Sequence, residues 1–198
     1  MTNSTDKKHL RQLLRHQRRE LPIAEKINAA EKIAQRVFSL PEFTRSQHIA
    51  FYIAHDGEVD PHLIMAYAEK NNKDAYLPAL ALKSEHHLEF YRYRNGDTLV
   101  INRFGIGEPD TKTQQHIVPK ALDCVFLPLV AFDKNGNRIG RGAGYYDRTF
   151  AFLHEADQKN KPCLIALAYD FQKIPSIDPA EWDIPLDLIV TEEHVYRV

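Results

Sequence analysis

Apolar residues recur at intervals of three and four near the amino end, then in short unbroken runs further along. Leu10, Leu13, Leu14 and Leu21 form a stripe at helical spacing, which predicts a helix over residues 6–20. Lys7, Arg11, Arg15 and Arg18 fall three or four apart and stack beside it as a basic ridge. After Pro22 a second helical pattern runs through Ile23, Ile27, Ala30, Ala34 and Val37 and stops before Pro41. HIAFYIA, from His48, has the length and apolarity of a buried strand. Asp60 is placed to cap a third helix with Pro61 at its first position and Leu63, Ile64, Tyr67 and Ala68 as its buried face. DAYLPALAL, LEFYRYR and DCVFLPLVAF predict further strands, Tyr146, Phe150 and Leu153 open another helix, and CLIALAY and LDLIVT predict the last strands. Strands alternating with helices predict an α/β fold, a three-layer sandwich with a mainly parallel, Rossmann-like sheet flanked by helices. One domain over 1–198 is expected, with a meander-like pair of short strands between Lys83 and Thr113 as a small flap.

Composition narrows the classes. Hydrophobic residues make up 43% and charged residues 27%, ordinary values for a chain with a real core. The formal net charge of -1 argues against a whole-molecule attraction to nucleic acid, so an anion site has to be a local cluster. Cys124 and Cys163 sit in apolar runs and read as core thiols; neither belongs to a metal-binding spacing. The first twelve residues are polar and lack the apolar core of a signal peptide, and no apolar run is long enough to span a bilayer. The expectation is a cytoplasmic monomer with no membrane partner.

The unusual stretch is DKNGNRIGRGAGYYDR, Asp133 to Arg148. It places Gly136, Gly140, Gly142 and Gly144 beside Arg138, Arg141 and Arg148, between a predicted strand and a predicted helix. Glycines let consecutive N–H groups face one anion, and a helix start adds a positive dipole end. The pattern therefore suits a phosphate cradle, although neither GxxxxGK[ST] nor GxGxxG occurs in it; a glycine-rich hairpin with solvated arginines is the structural alternative. Asp147 falls in the first turn of the helix, where it either offsets the dipole or offers Mg²⁺ a carboxylate beside bound phosphate. Asp187, at the start of the last predicted strand, is either a second such carboxylate or a strand-entry residue. Tyr146 begins an apolar stripe with Phe150 and Leu153 and reads as core, which leaves Tyr145 for a ligand.

The stretch FDKNGNRIGRGAGYYDR closely resembles the signature of the 5-formyltetrahydrofolate cyclo-ligase family, also called methenyltetrahydrofolate synthetases. KKHLRQLLR, FYIAHDGEVD, RFGIGEP and IPLDLIVTEE are similar to further segments of that family in the same order, so the resemblance covers nearly the whole chain. It implies ATP-driven closure of 5-formyltetrahydrofolate to 5,10-methenyltetrahydrofolate with release of ADP and phosphate, through phosphorylation of the formyl oxygen and attack by N10. It implies that Lys7, Arg11, Arg138, Gly140, Arg141, Gly142, Ala143, Gly144, Tyr145 and Tyr146 contact ATP. It places Ile53, Glu58, Arg141, Gly142 and Tyr145 on the folate, gives Arg141, Tyr145 and Lys7 catalytic roles, and assigns Mg²⁺ to Asp147 and Asp187. The basic helix and arginine loop also allow a nucleic-acid reading, but no RNP-like aromatic motif supports it. A non-catalytic folate or nucleotide sensor would keep Glu58 and the glycines without needing Lys7, Arg141 and Asp147.

Overall fold

The computed structural model describes residues 4–81, 86–155 and 161–198. Three helices come first: α1 (Ser4–Glu20), α2 (Ile23–Phe38) and the short α3 (Pro41–Thr44). Strand β1 (His48–Ala50), helix α4 (His62–Lys70), strands β2 (Asp74–Leu80) and β3 (Leu88–Arg92), and the paired β4 (Leu99–Ile101) and β5 (Gly107–Pro109) follow. Next are β6 (His116–Ile117), β7 (Cys124–Pro128), β8 (Ala131–Phe132), β9 (Arg138–Ile139) and α5 (Tyr145–Thr149). Strands β10 (Cys163–Leu167), β11 (Leu188–Val190) and β12 (Val195–Arg197) complete the chain.

Eight strands form one sheet in the order β12-β11-β10-β7-β1-β2-β3-β6. The five in the middle run parallel, while β12 on one edge and β3 on the other run against them, and β6 pairs antiparallel with β3. Parallel strands are covered on both faces, so their sequences read as continuous apolar runs rather than alternations. Strand β7 shows what each face does. Cys124 and Phe126 join a cluster with Ile33 and Val37 of α2 and Ile64 of α4, whereas Val125 and Leu127 join Phe90, Phe132 and Phe150 on the other side. Helices lie on both faces, which is the three-layer α/β sandwich that the alternation predicts.

Several predicted elements shift in detail. In α2 the inward face is Ala29, Ala30, Ile33, Ala34 and Val37, while Ile23 and Ile27 stand exposed at its start. In α4 the buried residues are Ile64, Met65 and Ala68; Tyr67 instead stacks on Phe38 of α2, ring centroids 4.0 Å apart. That helix starts at His62, with Pro61 just outside it and the Asp60 carboxylate accepting the His62 N–H at 2.9 Å. The predicted strand DCVFLPLVAF is two elements, because Pro128 has no N–H to continue the ladder. The predicted helix at Tyr146 is a five-residue α5 followed by a 3₁₀ turn, Ala151–His154. The expected flap is the β4–β5 hairpin; residues 83–85 of that predicted segment lie outside the described ones. Cys124 is buried and Cys163 half-buried, both as free thiols, and burial pushes the Cys163 thiol up to about 12. Among the described residues no helix is long and apolar enough to cross a membrane.

After β7 the chain turns through the β8–β9 hairpin, where the fully buried Asp133 carboxylate organises the turn. It accepts the N–H groups of Asn135 at 2.9 Å, Asn137 at 3.0 Å and Ile177 at 2.8 Å. Gly136 sits in this turn at φ +78°, and a Cβ there would lie 2.8 Å from the Leu186 carbonyl oxygen and 2.7 Å from Val198. Gly136→Ala should therefore destabilise the fold by roughly 1–3 kcal/mol. The urea midpoint would fall, and an unchanged midpoint would show that the turn has room to relax.

Candidate active site

In doubly wound sheets ligands bind beyond the carboxyl ends of the parallel strands. A cleft of about 560 Å³ opens there, floored by Tyr52, Ile53 and Glu58 after β1, Pro78 to Leu80 at the end of β2, and Pro128 at the end of β7. The loop from Gly140 to Gly144, α5, the amino end of α1, the β4–β5 hairpin and residues 180–183 form its walls.

Helix α1 presents its basic ridge to this cleft, so the ridge and not only the leucine stripe is an inward face. Leu14 is buried, Leu13 is exposed, and Arg18 has only 1% of its surface exposed. The Arg18 guanidinium donates to the Asp56 carbonyl at 2.9 Å, to the Leu129 carbonyl at 3.1 Å and to the Asp56 carboxylate at 3.2 Å. Glu58 Oε1 lies 3.8 Å from it. Arg15 and Arg19 reach the same Asp56 carboxylate at 2.7 and 3.4 Å. Burial lowers the Arg18 pKa from its usual value, against the pull of Glu58 and Asp56. Burial also pushes the Asp56 carboxyl up, but Arg15, Arg18 and Arg19 outweigh it and the net displacement is downward.

This network holds the turn that carries Glu58. The Glu58 side chain is 4% exposed. Its Oε2 accepts the His55 N–H at 3.1 Å. Its Oε1 is 2.9 Å from Nη2 of Arg141, which comes from the glycine loop and also donates to the His55 carbonyl at 3.0 Å. Glu58, expected on the folate, and Arg141, expected on both ligands, thus touch across the cleft.

The glycine stretch resolves into two parts. Residues 131–139 form the hairpin, and residues 140–144 form the open loop before α5. At Gly140 a Cβ would meet nothing within 4 Å, whereas Gly144 at φ +69° turns the chain into α5. Lys7 donates to the Asp178 carbonyl at 2.6 Å and Arg11 Nε to the Gly140 carbonyl at 2.9 Å, so both cations of α1 reach this region. Arg138 is not solvated; its side chain is 6% exposed and pairs with Asp147 at 2.5 Å and with the Ile184 carbonyl. Arg148 turns back to the Ala143 carbonyl at 2.6 Å. The Tyr145 hydroxyl accepts from Arg103 at 2.6 Å, and its ring meets Phe104 of the hairpin edge-on. Tyr146 is stacked with Phe150, and burial pushes its phenol up.

Lys7, Arg11, Ile53, Glu58, Arg138, Gly140, Arg141, Gly142, Ala143, Gly144, Tyr145, Tyr146 and Asp147 all line the one cleft. Asp187 is not brought there. It precedes β11, where its carboxylate accepts the Leu164 N–H at 2.8 Å and pairs with Lys161 at 2.8 Å. Parallel strands share their direction, so the start of β11 is at the opposite end of the sheet from the cleft. Asp183, four residues earlier, does line the cleft. The Ile184 N–H donates to Asp147 at 3.3 Å, which brings the backbone after Asp183 to that carboxylate, while the Asp183 carboxylate accepts the Ala180 N–H at 2.9 Å. Asp183, Trp182, Phe104 and Arg103 had no periodic signal in the sequence; Arg18 had one, as the innermost member of the ridge.

Fold and site together define an α/β enzyme whose cleft sets a cationic, glycine-lined loop against a buried carboxylate. The chain belongs to the 5-formyltetrahydrofolate cyclo-ligase family, whose model matches residues 3–192, and is accordingly a ligase. It is 34% identical over 190 residues to a 5-formyltetrahydrofolate cyclo-ligase of Haemophilus influenzae, covering 95% of this chain and 99% of that one. It is 32% identical to the Escherichia coli K12 protein of the same name, over 93% of this chain and 100% of that one. The NMR structure of Aquifex aeolicus 5,10-methenyltetrahydrofolate synthetase superposes with a TM-score of 0.81 at 34% identity, over 96% of this chain and 92% of that one. A 5,10-methenyltetrahydrofolate synthetase from Mycoplasma pneumoniae gives 0.73 at 28% identity, over 94% and 99%.

The Asp56 pKa is lower in the folded chain than in the unfolded one. Its stabilising contribution is therefore whole above the unfolded carboxyl's value of about 4 and is lost as pH falls through the lower folded value. Asp56→Asn should cost roughly 3 kcal/mol at neutral pH, because the buried Arg18 loses its partner. That cost should shrink as the pH is taken down through the folded value. Urea midpoints at each pH read it directly; a cost that does not change with pH would mean that charge at position 56 does not matter.

Proposed function

We propose that this chain closes 5-formyltetrahydrofolate to 5,10-methenyltetrahydrofolate at the expense of ATP, releasing ADP and phosphate, with residues 1–198 acting as one catalytic domain. The observation that carries the reading is the Arg141–Glu58 pair at 2.9 Å. It brings a group suited to phosphate and a group suited to the pterin within one hydrogen bond of each other, in a single cleft.

Each residue then has a task. Glu58 accepts two hydrogen bonds from the guanidine-like edge of the pterin, a geometry that carboxylates serve well. Ile53 and the Tyr145 ring flank the folate. Lys7, Arg11 and Arg141 counter the triphosphate, and the backbone N–H groups of 140–144 add donors. Arg138 is committed to Asp147 and Ile184, so its share is to orient Asp147.

Mg²⁺ takes one or two carboxylates and completes its shell with phosphate oxygens and water. The described residues contain no group of three or more His, Cys, Asp or Glu side chains able to hold a metal by themselves. Asp147, with Asp183 lining the same cleft, fits an ion that arrives with the nucleotide. When bound there, it would neutralise charge on the transferring phosphate.

A formamide oxygen is a poor leaving group, and the chemistry turns on making it a good one. The formyl oxygen attacks the γ-phosphorus, a new O–P bond forms, and the bond to ADP breaks. Arg141 and Lys7 steady the charge that spreads over the phosphoryl oxygens. N10 then attacks the activated carbon and loses its proton, and the C–O bond breaks to release phosphate.

The protein supplied with 5-formyltetrahydrofolate and MgATP should yield methenyl product, ADP and phosphate in equal amounts. Glu58→Ala should raise the folate KM by tenfold or more, since an unmatched buried donor costs about 1–3 kcal/mol, and should leave the ATP KM unchanged or lower because Arg141 is freed. An unchanged folate KM would remove Glu58 from the pterin, and a folded, ATP-binding protein that makes no methenyl product would be a sensor rather than a catalyst.

A further inference from the structure

Trp182 is the chain's one tryptophan, and it lies on the rim of the cleft with 72% of its surface exposed. An indole left in water forfeits a large apolar contribution, and exposed aromatic surface at a cleft is a common mark of a ligand platform. The turn that presents it is well defined. The Ala180 N–H donates to the Asp183 carboxylate at 2.9 Å, and the Asp183 N–H donates to the Ala180 carbonyl at 3.0 Å. Among the described residues no other ring stacks on the indole.

The position of this turn in the cleft decides what can reach it. Lys7 donates to Asp178 at one end of the segment, and Arg138 and Asp147 bond to Ile184 at the other. The segment is therefore stitched to the cationic end. The other aromatic residues of the cleft already have partners within the fold. Tyr145 engages Arg103 and Phe104 of the hairpin, the Tyr52 hydroxyl donates to the Val59 carbonyl at 2.5 Å beside Glu58, and Tyr146 stacks on Phe150. In the functional reading above, on which this inference rests, the γ-phosphate must face the Glu58–Arg141 end. The remaining phosphates run back past Arg11 and Lys7, and the base comes out at residues 178–184.

We propose that Trp182 is the platform on which the purine base of the nucleotide stacks, and that it contributes to the preference for a purine over a pyrimidine triphosphate. Stacking tolerates any flat base, but the larger purine gains more from the indole face. Trp182 is then a specificity residue, remote from the reacting atoms.

The test uses the lone indole as its own reporter. ADP, inorganic tripolyphosphate and 5-formyltetrahydrofolate are titrated separately against tryptophan emission and by calorimetry. ADP should alter the emission over the same concentrations at which it releases heat, while tripolyphosphate should bind without altering it. Trp182→Ala should raise the ATP KM about tenfold with kcat unchanged, and should narrow the ATP-over-CTP preference. Trp182→Phe should recover most of both, and because the side chain is exposed both variants should keep the wild-type thermal midpoint. A merely structural role would not move base preference. ADP binding with the indole silent and the ATP KM of Trp182→Ala unchanged would overturn the proposal. An indole that responds to the folate and not to ADP would overturn it too, and would make Trp182 part of the folate site. Absence of any ADP binding would overturn the nucleotide reading itself and this inference with it.

Discussion

The Arg18 guanidinium, buried between the Asp56 carboxylate and the end of β7, is the contact on which the site depends. It ties α1, which brings Lys7 and Arg11, to the turn after β1, which brings Glu58. Such a buried pair adds little net stability, because stripping water from two charges consumes most of the attraction between them. Breaking it from one side is another matter, since the remaining charge stays buried. We read the pair as a device of position: it holds the helix that carries Lys7 and Arg11 and the turn that carries Glu58 in one relation on the same cleft.

The glycines divide the rest of the labour. Gly136 packs where a side chain would strike the Leu186 backbone and Val198. It serves the hairpin and does not line the cleft. Gly140 faces open space in the cleft, and Gly144 supplies the turn into α5. Helix α5 is one turn and a half, so its dipole is smaller than a long helix would offer, and the positive character of this wall comes more from the cationic side chains and the loop N–H groups. The hairpin and the open glycine loop that lines the cleft are consecutive parts of one stretch.

Apolar periodicity was enough to find the parallel strands and the three longer helices, because those elements bury continuous runs. It did not find α3 or β12, which are too short to show a period. It turned α2 and α4 slightly wrong, since an isoleucine at a helix start can overhang the core while alanines further on pack against it. The basic ridge of α1 is legible as a stripe of charge, but only the acidic turn at Asp56 and Glu58, far off in sequence, makes Arg18 an inward residue. The resemblance carried the glycine loop, Lys7, Arg11 and Glu58 to one cleft. It set Asp187 there too, but Asp183 and Asp187 stand four apart in an irregular segment, and only the direction of β11 decides which of them reaches the cleft.

The central claim is that this cleft moves a phosphoryl group onto the formyl oxygen. That claim fixes the fate of one atom. Substrate carrying ¹⁸O in the formyl group should yield inorganic phosphate with one labelled oxygen per turnover, because the C–O bond breaks only after the O–P bond has formed. Mass spectrometry of the released phosphate reads the label directly. Label found in water, with unlabelled phosphate, would mean that the carbonyl loses its oxygen without phosphorylation, and that ATP acts elsewhere than at this oxygen.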